Sequence, residues 1–150
     1  MKTDSAPAPG RGLQSGLWGA QLALAAVFFV AGLMKVTQPS SQLVDSIPWG
    51  AEVPAALVRF IGTFELLGAI GVIVPAATHL LPKLSGFAGV GLATLTALAT
   101  GFHGMRGEYA NLPLTLALCG LAAFVAWGRL LRAPISPRGM GRPAGPAARV

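Results

Sequence analysis

Charge is scarce in this chain. Of its 150 residues 11% are charged, and only five are Asp or Glu. A soluble domain carries about 25%, so a surface facing water all round is excluded and lipid is the expected surround. Cysteine is nearly absent. Cys119 stands alone inside an apolar run, which excludes an internal disulfide and the paired thiols of disulfide exchange. Its expected role is that of a small apolar residue. There are two histidines, His79 and His103, placed at opposite ends of the helices inferred below, so the facing pair that usually holds a b-type haem is excluded. One histidine with two acids is thin for zinc, which takes three or four ligands, and no metal is expected. No Gly-rich phosphate loop follows a strand. The net charge of +6 comes without interleaved aromatics, so nucleic acid is not an expected partner.

What the chain does have is apolar length, at 53% of residues. Four runs, about 14–34, 56–74, 84–102 and 112–128, approach the ~20 residues needed to cross a bilayer. The fourth is short and fits a thinner bilayer or a different tilt. The first starts near Trp18 at interface depth and ends at Lys35, which can reach outward. It is too long for the apolar part of a signal peptide and lacks a cleavage site. In the 36–54 loop, Ser40 or Ser41 can cap a short helix with Leu43, Val44 and Ile47 on one side, and Trp49 suits an interfacial turn. Pro75 reads as the end of the second helix. The short 75–83 link makes the second and third spans antiparallel neighbours. Gly89, Ala93, Ala97 and Gly101 recur at steps of four, a packing seam within one chain or between two copies in a homodimer.

The expected fold is all-α: an antiparallel four-helix transmembrane bundle over 13–128, with a short interfacial segment after the first helix. Residues 1–12 and 129–150 read as disordered tails. The second tail holds five arginines and no acid, which suits attachment to an anionic leaflet. Both ends fall on one side, together with Lys2, Arg11, Lys83 and the tail arginines. Lys35, Arg59 and Arg106 fall on the other. This bias places both termini in the cytoplasm and the 36–54 and 103–111 loops outside.

The functional candidate lies in RFIGTFELLGAIGVIVP, Arg59 to Pro75. Glu65 is an acid inside a span, where a charge costs about 2.5–3.5 kcal/mol on insertion scales. Gly62, Gly68 and Ala69 share its face and suit contact with another helix. Lys35, Arg59, His103 and Asn111 mark the outer ends of the four helices, with Arg106 and Glu108 in the adjoining loop. These seven residues are expected to converge on one pocket. Arg59 and Glu65 point about 120° apart on a helix, so Lys35 or His103 is the easier partner for the acid. The inner half of the spans shows no polar group of comparable strength.

The runs VAGLMKVTQP, RFIGTFELLGAIGVIVP and FHGMRGEYANLPLTLALCGLAAFVAWGR resemble the DoxX-like family of small four-span bacterial membrane proteins. The resemblance covers about residues 17–130 and is carried by Lys35, Arg59, Glu65, His103, Glu108, Asn111 and Pro113. It implies a four-helix bundle in the plasma membrane. Some relatives are subunits of quinone-linked sulfur oxidoreductases or are grouped with redox-stress proteins. The expectation is a binding module or redox-associated subunit, not an enzyme on its own, with a membrane or redox partner protein. A quinone or lipid head group would accept hydrogen bonds from Lys35, Arg59 or His103, with Glu65 relaying a proton. A small proton-coupled transporter and a non-catalytic scaffold are the alternatives.

Overall fold

A computed structural model describes residues 10–39, 41–43 and 47–138. Four long helices dominate: α1 (Arg11–Thr37), α2 (Ala55–Thr78), α3 (Lys83–Met105) and α4 (Leu112–Trp127). A π-helical turn, Gly128–Arg132, prolongs α4. Each helix, the fourth counted from Tyr109 to Arg132, is long and apolar enough to cross a membrane. Large apolar side chains such as Val30, Leu67 and Leu98 face outward, the surface expected of lipid contact. The chain is an all-α, multi-pass membrane protein.

The helices pack as a ring. α1 lies against α2 and α3 against α4, α2 contacts α3, and α1 closes on α4. The shared core is Ala20, Leu24, Phe28, Ala69, Val72, Leu92, Ala122 and Val125. Small residues set the closest approaches. At the α1–α2 crossing, a Cβ on Gly32 would stand 2.7 Å from the Gly62 carbonyl oxygen, and one on Gly62 would stand 2.7 Å from Lys35 Cβ. The small-residue stripe of α3 is divided. Gly89 is buried against the backbone of Ala122 and Ala126, whereas Ala97 and Gly101 are exposed. Its first half therefore serves packing within one chain.

Pro75 does not end α2, which continues to Thr78 with the proline inside. A proline lacks the N–H that would bond the carbonyl four residues back, here Gly71. Neighbouring helices supply donors instead. Ser85 Oγ of α3 donates to Val72 O at 2.7 Å and lies 3.4 Å from Gly71 O, and Gln21 of α1 also donates to Val72 O. A membrane helix keeps a proline when its neighbours re-satisfy the freed carbonyls.

The ends also differ from expectation. Helix α1 begins at Arg11, so Arg11 and Gly12 are helical; residues 1–9 lie outside the described residues. At the other end Gly128–Arg132 is helical, Ala133 is buried, and the next residues dock on the α2–α3 turn. The basic tail thus starts later than position 129, and residues 139–150 lie outside the described part. In the 36–54 loop, Ser40 and Val44 also lie outside it. Leu43 is buried, and Trp49 sits in a 3-10 turn (Pro48–Ala51) with its ring edge-on to Phe102 at 5.6 Å.

Candidate functional site

The seven candidate residues all lie towards the face bearing the 38–54 and 106–111 loops, but they form two sets. No hydrogen bond or ion pair joins the sets among the described residues. Lys35 and His103 each find a carboxylate close by, Glu65 for Lys35 and Glu108 for His103.

The first set is buried between α1 and α2. Lys35 Nζ donates to both oxygens of Glu65, each at 2.8 Å, and each residue is 7% exposed. The glycine crossing explains the encounter. Lys35 Cβ stands level with Gly62, and Glu65 lies about one turn away on the antiparallel α2. Because helical side chains lean towards the N-terminus of their own helix, the two lean towards each other across the close contact. Arg59 does not reach Glu65. It donates from Nη1 to Lys35 O at 2.7 Å and from Nη2 to Gln38 O at 2.6 Å. These are carbonyls at the C-terminus of α1, where the helix dipole favours a cation. The side-chain oxygen of Gln38 is buried at the same end without a partner among the described residues. Lys35 has three donors and Arg59 five, so both keep N–H groups beyond those engaged.

The second set is a ladder built on the end of α3. Gly107, at φ 71°, is the left-handed residue that closes the helix. The Glu108 N–H bonds back to His103 O at 2.9 Å and the Gly107 N–H to Gly104 O at 3.2 Å, the double bond of a Schellman motif. That turn carries the Glu108 side chain over the His103 ring, Nδ1 to Oε2 at 2.5 Å. Arg106 Nε donates to the other Glu108 oxygen at 2.6 Å, and its two terminal nitrogens hold both oxygens of Glu52. Asn111 is peripheral, 3.4 Å from Glu108 Oε2 and from His103 Nδ1. Hydrogen bonds from Arg106 hold the Glu52 and Glu108 carboxyls below the usual carboxylate range, with His103 adding to the effect on Glu108. The Arg106 guanidinium is pushed up in turn, by Glu52 first and then Glu108. Sequence reasoning missed Glu52; an acid in a long irregular loop carries no periodic spacing signal.

A third polar group contradicts the expectation of an unmarked inner half. Arg129, 1% exposed, donates through Nε and Nη2 to Gln21 Oε1 at 2.8 and 2.6 Å, and through Nη1 to Gln14 Oε1 at 2.8 Å. Its guanidinium lies 5.3 Å from the centre of the Trp18 ring. Gln21 passes the network on to Val72 O, the carbonyl next to the Gly71 carbonyl that Pro75 leaves without its helical N–H. The available signal was Gln14 and Gln21, seven apart on one face of an apolar helix. Among the described residues no group of three or more His, Cys, Asp and Glu is placed to hold a metal ion.

A family model described as the DoxX-like family matches residues 19–125. The match takes in all four helices and both loop-face sets. The chain belongs to the DoxX-like family. No curated protein and no solved structure matches it.

Proposed function

We propose that this DoxX-like protein is a binding module of a bacterial plasma membrane, with both ends in the cytoplasm. Its ligand, a quinone or lipid head group, engages the Lys35–Glu65 pair in the outward half of the bundle. The observation that carries this reading is the pair itself, two ions within apolar spans. Removing each from water costs several kcal/mol, and a well-packed apolar pair of similar volume often holds helices as well or better. A charge retained within a membrane span therefore points to use rather than to stability.

The surroundings suit an oxygen-rich ligand. Lys35 and Arg59 retain N–H donors for carbonyl or phosphate oxygens, and the unpartnered Gln38 oxygen accepts from a hydroxyl or amine. The Arg106–Glu108–His103 ladder stiffens the loops above. The test is the apolar double variant Lys35→Met/Glu65→Leu. Native mass spectrometry of the detergent-purified protein should show a retained quinone or phospholipid in the wild type and none in the folded variant. The same retention in both would refute the reading.

A further inference from the structure

We propose a second, separate site on the face that carries the chain's ends: one anionic phospholipid, its head group on Lys83 and its apolar part in a cavity beside α3. The cavity lies between the α2–α3 turn and the segment that follows α4. Its volume is about 490 Å3, with Leu81, Leu84, Pro134 and Ile135 among its walls and the exposed Lys83 as its charged member. That volume is within the range of small-molecule sites, about 300–1,000 Å3.

Two hydrogen bonds build the far wall. His79 Nδ1 lies 3.0 Å from Ser136 O, and the Arg138 N–H donates to His79 O at 3.0 Å. The near wall is strained. His79 and Leu81 have φ of 60° and 48°, a left-handed conformation that costs a non-glycine residue about 1–2 kcal/mol. Such strain persists where the surroundings impose it, and here it holds Leu81 outward at 73% exposure, next to the exposed Leu80.

Charge identifies the occupant. The described carboxylates are Glu52, Glu65 and Glu108, and all three are engaged on the opposite face. Arg11, Lys83, Arg132 and Arg138 therefore have no described carboxylate on their own side. A phospholipid phosphate complements these cations, and its apolar chain matches the cavity wall. Residues 139–150 are a poor occupant, since they contain Arg142 and Arg149 and no acid, and would meet Lys83 with like charge.

The experiment uses the full chain in nanodiscs of equal phosphatidylglycerol and phosphatidylcholine, with retained lipid counted by native mass spectrometry. One phosphatidylglycerol should be retained, with a roughly fivefold preference over phosphatidylcholine, the effect of one lysine at an anionic surface. Lys83→Glu should bring the preference to parity. Ser136→Phe, which fills the cavity and leaves Lys83 in place, should also release the lipid. Parity in the wild type, or a preference that survives both variants, overturns the proposal. So does loss of the preference on truncation after Arg138, because the tail would then be the holder. The Lys35 and Glu65 variants should leave this preference unchanged.

Discussion

A double-mutant cycle on Lys35 and Glu65 separates the cost of breaking the buried pair from the worth of having it. Lys35 Nζ touches both Glu65 oxygens at 2.8 Å, and each residue is 7% exposed. Solvent therefore does little to replace a lost partner. Removing one member of such a pair costs about 3–5 kcal/mol, while exchanging both for apolar residues is often neutral or stabilising. Lys35→Met alone and Glu65→Leu alone should each lower the melting temperature by roughly 10–15 °C, at some 3 °C per kcal/mol for a chain of this size. Lys35→Met/Glu65→Leu should recover most of that loss. Tryptophan-fluorescence melts in detergent measure all of these variants, and size-exclusion profiles report whether each inserts and stays monodisperse. Single losses that simply add in the double variant would refute the reasoning, because the two residues would then be stabilising the bundle independently.

The Glu52–Arg106–Glu108 ladder should respond to acid. Arg106 keeps both carboxyls below their usual range, so the ladder's contribution is complete above the ordinary carboxylate range of about 4 and is lost as pH falls from there through the lowered values. Trp49 emission, read in a Trp18→Phe/Trp127→Phe background, should hold constant at pH 5 and shift below pH 4; Arg106→Gln should abolish the transition. Gly62→Ala puts a methyl 2.7 Å from Lys35 Cβ and should cost about 1–3 kcal/mol as overpacking, whereas Gly101→Ala, with nothing within 4 Å, should be neutral or slightly stabilising in the same melts. Ser85→Ala should cost about 1 kcal/mol in the wild type but less in Pro75→Ala, where residue 75 regains the N–H that bonds Gly71; an equal cost in both backgrounds would detach Ser85 from the proline.

The architecture was legible because lipid imposes a simple pattern. Apolar runs of about 20 residues have few other uses, and the short 75–83 link leaves the second and third helices little choice but to pair. Glu65 was legible for the same reason: an acid amid small residues is rare enough in a span to be informative. What escaped were features that depend on depth along neighbouring helices. Arg129 reads as the first residue of a basic tail until Gln14 and Gln21 are seen at the same level. Pro75 reads as a stop signal until Ser85 is found beside the freed Gly71 carbonyl. Lys35 reads equally well as an anchor reaching for the interface or as a buried partner, and only the glycine crossing at Gly32 and Gly62 decides it. The ladder is partly legible, since Arg106, Gly107 and Glu108 lie together in sequence, but Glu52 arrives from 54 positions away.

The closure of the Lys35–Glu65 pair also constrains how any ligand binds there. Glu65 holds two of the three Lys35 N–H groups, so a phosphate or carbonyl oxygen that takes more than the third must displace a Glu65 oxygen. The displaced carboxylate remains in a low-dielectric site without its cation, and that state is expensive. Taking up a proton removes the expense whether the ligand is charged or neutral. Ligand binding at this pair should therefore be coupled to uptake of one proton by Glu65, and by linkage the apparent affinity should rise roughly tenfold for each unit fall in pH while the free protein keeps Glu65 ionised. Retention titrated at pH 8, 7 and 6 with a short-chain quinone, and separately with a phospholipid, measures the coupling. Lys35→Met/Glu65→Leu should remove both binding and its pH dependence. A ligand that binds the wild type equally well across that range is not displacing Glu65; it either uses the spare Lys35 and Arg59 N–H groups alone or binds elsewhere, and loss of binding in Lys35→Met separates the two.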